Sequence, residues 1–111
     1  MPRRQVRRSA AFLEQARELF PAGGSAAGGP SFEVFERGPL RGAEIAFSLN
    51  FEAQREPIEG VTSIRYVLIP PTPVFGPVVI SACLIADGVV ELASVIEDEG
   101  YWDLVADDPS D

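Results

Sequence analysis

The stretch Ala43-Glu44-Ile45-Ala46-Phe47-Ser48-Leu49-Asn50-Phe51-Glu52-Ala53 decides how the middle of this chain folds. Its odd positions are all apolar, and its even positions are polar apart from Ala46. That alternation has the period of a half-buried strand, and a strand over 43–53 is expected on this ground. A helical reading instead puts Leu40, Ala43, Phe47 and Phe51 on one face and leaves Ile45 and Leu49 outside it. Upstream, Gly38-Pro39-Leu40-Arg41-Gly42 has the residues of a turn or of a helix start. Phe32 to Arg37 is too short to assign. Residues 21–31, rich in glycine and alanine, form a linker by composition and predict a mobile surface loop. That loop lacks the Gly-Lys-Ser/Thr ending and the preceding apolar strand of a phosphate-binding loop.

Further out the signals sharpen. Between Ser9 and Phe20 the residues Phe12, Ala16, Leu19 and Phe20 recur at helical spacing, with Ser9 placed to cap and Pro21 to stop the helix. Downstream, Thr62 to Ile69 is β-branched and aromatic, and Val78 to Ala86 is a nearly continuous apolar run. Asp87-Gly88 is a hairpin turn signal, and Val89 to Ile96 supplies the returning strand. Three antiparallel strands, 62–69, 78–86 and 89–96, therefore form a meander, and Phe12, Ala16 and Leu19 would bring the helix onto one of its faces. The expected fold is α+β, an N-terminal helix packed on an antiparallel meander of three to five strands, with 43–53 extending the sheet. At 111 residues the chain reads as a basic arm (1–8), one domain (9–103) and an acidic tail (104–111). Whether residues 5–8 add an edge strand stays open.

Charge divides the chain. All nine basic residues are arginine, and seven of them (Arg3, Arg4, Arg7, Arg8, Arg17, Arg37 and Arg41) precede Gly42. Acids dominate the other end, from Asp87 through Glu97, Asp98, Glu99 and Asp103 to Asp111, for a net charge of −8. The absence of histidine and lysine excludes a Ser-His-Asp triad, a Cys-His pair, histidine metal sites and Schiff-base chemistry. Cys83 is the only cysteine, so no intrachain disulfide forms, and its apolar setting predicts a small buried hydrophobe. Its alternative role, a reactive thiol, would have no histidine to activate it.

Glu97-Asp98-Glu99 lacks the spacing of a calcium-binding loop and reads as a solvated acidic loop, so neither a metal nor a cofactor is expected. Tyr101 and Trp102 would cover a sheet edge or anchor a protein partner. Arg65 and Tyr66 point to opposite faces of their strand, and Arg65 would pair with Glu91 or another cross-strand acid, or contact a phosphate or substrate. Arg55 offers a similar choice. The acidic balance disfavours nucleic acid except through an anion contact by Arg3, Arg4, Arg7 and Arg8. No apolar run reaches the roughly 20 residues of a membrane span, and no secretory segment is seen, so a cytoplasmic location is expected. An exposed sheet edge would allow a homodimer.

Two stretches resemble the RelE/ParE-like toxins of bacterial type II toxin–antitoxin systems. Val6-Arg7-Arg8-Ser9 followed by Phe12-Leu13-Glu14-Gln15-Ala16-Arg17-Glu18-Leu19 is similar to that family's short strand and first helix. Gly60 to Tyr66 followed by Val78 to Ile96 is similar to its C-terminal meander, in which an arginine opens the second strand. Together they cover about half the chain. The family carries a second helix where this chain has the glycine-rich linker and the alternating segment. The resemblance implies Arg65, and more weakly Tyr101, as candidate catalytic residues. With this charge it implies action on a protein target rather than on messenger RNA.

Three functional expectations follow. The first is a non-catalytic acidic interaction domain of antitoxin, immunity or inhibitor type, binding a basic protein through Glu97, Asp98, Glu99, Tyr101, Trp102 and Asp103. The second is the toxin component just described. The third is a small enzyme using carboxylates, which the missing histidine and lysine leave as the narrowest route.

Overall fold

The structure, a computed structural model, describes residues 3–24, 29–72 and 75–97. Its elements in chain order are β1 (Val6–Arg8), α1 (Ala10–Leu19), α2 (Phe32–Phe35), α3 (Arg41–Asn50), β2 (Ile64–Ile69), β3 (Val78–Leu84) and β4 (Val90–Glu97). The strands form one sheet in the order β1-β4-β3-β2. β2, β3 and β4 are the antiparallel meander expected from sequence. β1 adds to β4 in parallel, with Val6 opposite Val90 and Arg8 opposite Leu92. The class is therefore α+β with a mixed, mostly antiparallel sheet.

The hairpin between β3 and β4 turns where Asp87-Gly88 predicts. Both residues take left-handed backbone, with φ of 64° and 72°, a conformation that aspartate and glycine tolerate best. Ala93 is the extra residue of a bulge, since Ser81 faces Ser94 while Ala82 faces Leu92. The side-chain oxygen of Gln15 on α1 accepts from the Val95 N–H at 3.1 Å, just past this irregularity. Helix α1 starts as its sequence predicts, with the Ser9 hydroxyl accepting from the Phe12 N–H at 3.0 Å. Phe12 and Ala16 are fully buried against the sheet, Phe20 is nearly so, and Leu19 packs at the margin.

The segment 43–53 is a helix, not a strand. α2, a π-helical turn over 36–40 and α3 follow one another without a break, and a 3-10 turn over Phe51–Ala53 ends the run. Pro39 lies inside the π turn, where the missing proline N–H is accommodated by the wider winding. The helical face wins because it delivers more to the core. Leu40, Ala43, Phe47 and Phe51 are all buried, whereas Ile45 and Leu49, which a strand would have buried beside them, stay about half exposed. The fourth strand comes instead from the basic N-terminal segment, which settles the alternative at residues 5–8 in favour of an edge strand.

Both long helices lie on the sheet face built from Val78, Ile80, Ala82, Val90, Leu92 and Val95. Phe20 stacks on Phe35 with centroids 4.5 Å apart, and Phe75 meets Phe20 edge-on at 5.6 Å, closing one end of this core. The opposite face, with Tyr66, Leu68, Val79, Ser81, Cys83 and Ile96, carries no helix among the described residues. Cys83 belongs to this face and is half-buried, less enclosed than its apolar neighbours suggest, because the strand turns it away from the core.

Candidate functional site

Arginine chemistry dominates what the fold brings together. Strand β1 runs beside β4 and past α3, so its alternate side chains reach both elements. Arg7 faces outward and pairs with Glu91 of β4, Nε to Oε2 at 2.7 Å. Arg8 faces α3 and is gripped by Glu44 at 3.0 and 3.1 Å, with Glu36 as a further ion-pair partner. The Glu44 hydrogen bonds, joined by Glu36 and opposed by burial, push the Arg8 guanidinium above its usual range. Arg4 donates to Glu52, and its backbone N–H donates to the Ser48 carbonyl at 2.9 Å. Of the four arginines read as an anion contact, three are thus held by carboxylates of the same chain. Arg3 alone among them has no ion pair among the described residues.

The Glu52 carboxyl lies below the usual glutamate range, first because Arg4 donates to it and second through a backbone hydrogen bond. A depressed carboxyl pKa contributes stability that is complete above the unfolded value and is lost as pH falls through the folded one. The side chain is exposed, so the contribution is small. Carboxyl-carbon NMR titration is expected to give Glu52 a lower midpoint in the native chain than in Arg4→Gln, and equal midpoints would disprove the pairing.

Arg65 sits elsewhere than the sequence suggests. Its partner across the sheet is Ala82 on the buried face, while Glu91 lies on the opposite face and is taken by Arg7. At 8% exposure Arg65 is the buried charged residue among those described. Its Nε donates to the Thr62 carbonyl at 3.0 Å, and its Nη1 donates to the carbonyls of Glu52 at 2.9 Å and Gln54 at 3.0 Å. Nη2 faces Glu56 at 3.7 Å, and the guanidinium lies over the Phe51 ring. Glu56 in turn accepts from the Gly60 N–H at 3.0 Å. This guanidinium ties the loop between α3 and β2 to the sheet and has little capacity left for a phosphate or substrate.

Tyr66, on the other face, lines a shallow cleft of about 410 Å³ with Leu68, Val79, Ile96, Arg55 and Pro57. Arg55 approaches through its backbone, which pairs with Tyr66 in an isolated bridge, and its side chain makes no ion pair among the described residues. Glu97, the last described residue, is exposed at the end of β4 and has no ion pair among the described residues. Asp98, Glu99, Tyr101, Trp102 and Asp103 lie outside the described residues, as does the acidic tail. Among the described residues no three side chains of the metal-binding types cluster. No described helix is long and apolar enough to cross a membrane.

The carboxylates Glu36, Glu44 and Glu52 are the site residues that sequence reading missed. Their signal existed only on the helical reading, which places Glu44 one turn from Ser48 on the side that β1 approaches. What stands is an α+β domain in which Arg4, Arg7 and Arg8 of the N-terminal segment are paired with carboxylates of the same chain. Searches against protein-family models, curated proteins and solved structures found no match for this chain.

Proposed function

We propose that this chain is a non-catalytic interaction domain that binds a basic protein through Glu97, Asp98, Glu99 and Asp103, with Tyr101 and Trp102 as the apolar contact. The observation that supports it most is where the arginines go. Arg4, Arg7, Arg8 and Arg65 pair with Glu52, Glu91, Glu36, Glu44 and Glu56 of the same chain. Most of the net charge of −8 therefore comes from other acids, and those at and after the end of β4 are the densest group in sequence. Such a cluster speeds and orients association with a cationic surface more than it supplies affinity. A single half-buried thiol fits a reducing cytoplasm.

The test is capture of a basic partner from host extract at low salt, with Glu97→Gln/Asp98→Asn/Glu99→Gln/Asp103→Asn as the control. Four charges at about 0.5 kcal/mol each predict about a thirtyfold loss of affinity, and most binding should also vanish at high salt. Equal retention by the neutralised variant would sink the reading.

A second reading, a RelE/ParE-like toxin component acting on a protein target, draws support from α3. That helix stands where the resemblance implies a second helix, so the order strand, helix, helix, three-strand meander is the one it implies. The commitment of Arg65 to backbone carbonyls weighs against its carrying chemistry there. Growth arrest on induced expression without a neighbouring gene favours this reading, and unimpaired growth counts against it.

A further inference from the structure

Arg3 and Arg41 make no ion pair among the described residues, and both face one cleft of about 430 Å³ between β1 and α3. Arg41, Ile45 and Leu49 recur every four residues, so they form a single stripe along α3, turned away from the buried Ala43 and Phe47. Ile45 and Leu49 are 49% and 47% exposed. Glu44 lines the same cleft but is already bound by Arg8. The result is an apolar floor about 12 Å long with a free cation toward each end, Arg41 at the start of α3 and Arg3 beside its last turn. Its complement is a peptide with an apolar middle and acids on both sides.

The chain contains one such segment outside the described residues. Tyr101, Trp102, Leu104 and Val105 are bracketed by Asp98-Glu99 and Asp107-Asp108. The distance is within reach. β4 pairs with β1, and Arg8 lies level with Leu92 while gripping α3. Glu97 is five residues beyond Leu92, about 17 Å along the strand, and the seven residues from Glu97 to Leu104 span up to about 23 Å.

We propose that this cleft receives the chain's own segment 98–108, its apolar residues on Ile45 and Leu49 and its acids against Arg3 and Arg41. Resting on the interaction reading above, the contact holds the partner-binding residues on their own domain until a stronger cationic surface takes them.

Trp102 is the chain's only tryptophan, so its fluorescence in the intact protein reports on the segment without any partner. At low salt its emission is expected to be blue-shifted and shielded from acrylamide. Arg3→Ser/Arg41→Ser and Ile45→Ser/Leu49→Ser should each move it to the red and remove the shielding, with unchanged circular dichroism because all four side chains are exposed. An emission that is the same in all three proteins overturns the proposal. So does a response only to Leu68→Ser/Ile96→Ser, which would put the segment on the bare sheet face. Shielding that disappears on dilution overturns it too, by showing that a second copy supplies the segment. No partner takes part in these measurements, so loss of the self-contact leaves the capture experiment as an independent test of the interaction reading.

Discussion

Replacing Phe35 with alanine is expected to lower the free energy of unfolding by about 4 kcal/mol, the range found when a large buried side chain is removed and the site cannot collapse. Phe35 is completely buried although it belongs to a helix of only four residues. Its ring stacks on Phe20 at 4.5 Å with planes 21° apart, lies 6.3 Å from Phe32 and 6.4 Å from Phe75. Through these contacts one side chain joins the end of α1, the beginning of the helical run over 32–50 and the segment leading into β3. None of those pieces can move inward to fill the void without carrying its element with it. A domain of this size has about 5–15 kcal/mol in total, so the variant would keep about 1–11 kcal/mol and unfold at a clearly lower urea concentration. Urea denaturation followed by circular dichroism measures the loss. Phe35→Leu, which keeps most of the volume, should cost about 1.5 kcal/mol. A loss below about 1 kcal/mol for Phe35→Ala would show that the aromatic cluster does not hold these elements together.

The meander was legible because its signals are local. A β-branched run, an apolar run and Asp87-Gly88 between strands specify pairing over a few residues, and Asp87 and Gly88 adopt the backbone that the pair predicts. The segment 43–53 was not legible because its apolar residues satisfy two periods at once. Phe47 and Phe51 fit either face, so only Ile45 and Leu49 discriminate, and their fate depends on what the core needs. The core is met by helical spacing from Leu40 to Phe51, which buries all four apolar residues of that face. β1 was hidden for a different reason. Two of its three residues are arginines, so Val6–Arg8 shows too little apolar pattern to decide for a strand, and from sequence residues 5–8 stay open. It forms because β4 offers an open edge and because carboxylates 28 to 84 positions away accept its charges. The free cations of the β1–α3 cleft were hidden with it, since they come together only once α3 is a helix. The opposition of Arg65 and Tyr66 across their strand could be read from period alone. Which of the two faced the core could not, because each has an apolar residue two positions away on its own face, Val67 for Arg65 and Ile64 and Leu68 for Tyr66.

Arg65→Ala is expected to cost about 3 kcal/mol. The loss comes from removing a buried side chain together with its three hydrogen bonds, since the partly shielded carbonyls of Thr62, Glu52 and Gln54 would lose their common donor. Glu56 would lose its cation and the Phe51 ring its cover. Arg65→Lys should recover only part of this, with about 1–2 kcal/mol still missing, because one ammonium cannot present a planar fork to three carbonyls. Chemical denaturation of both variants measures these losses, and a second measurement separates a structural arginine from a functional one. After correction for the folded fraction, Arg65→Lys should bind the basic partner as the native chain does and should leave the growth response to induced expression unchanged. A variant as stable as the native chain that nevertheless loses either property would place Arg65 in contact with a target. The geometry predicts the opposite ordering, stability lost first and activity only through it, since the donors that a target would need already point at the chain's own backbone.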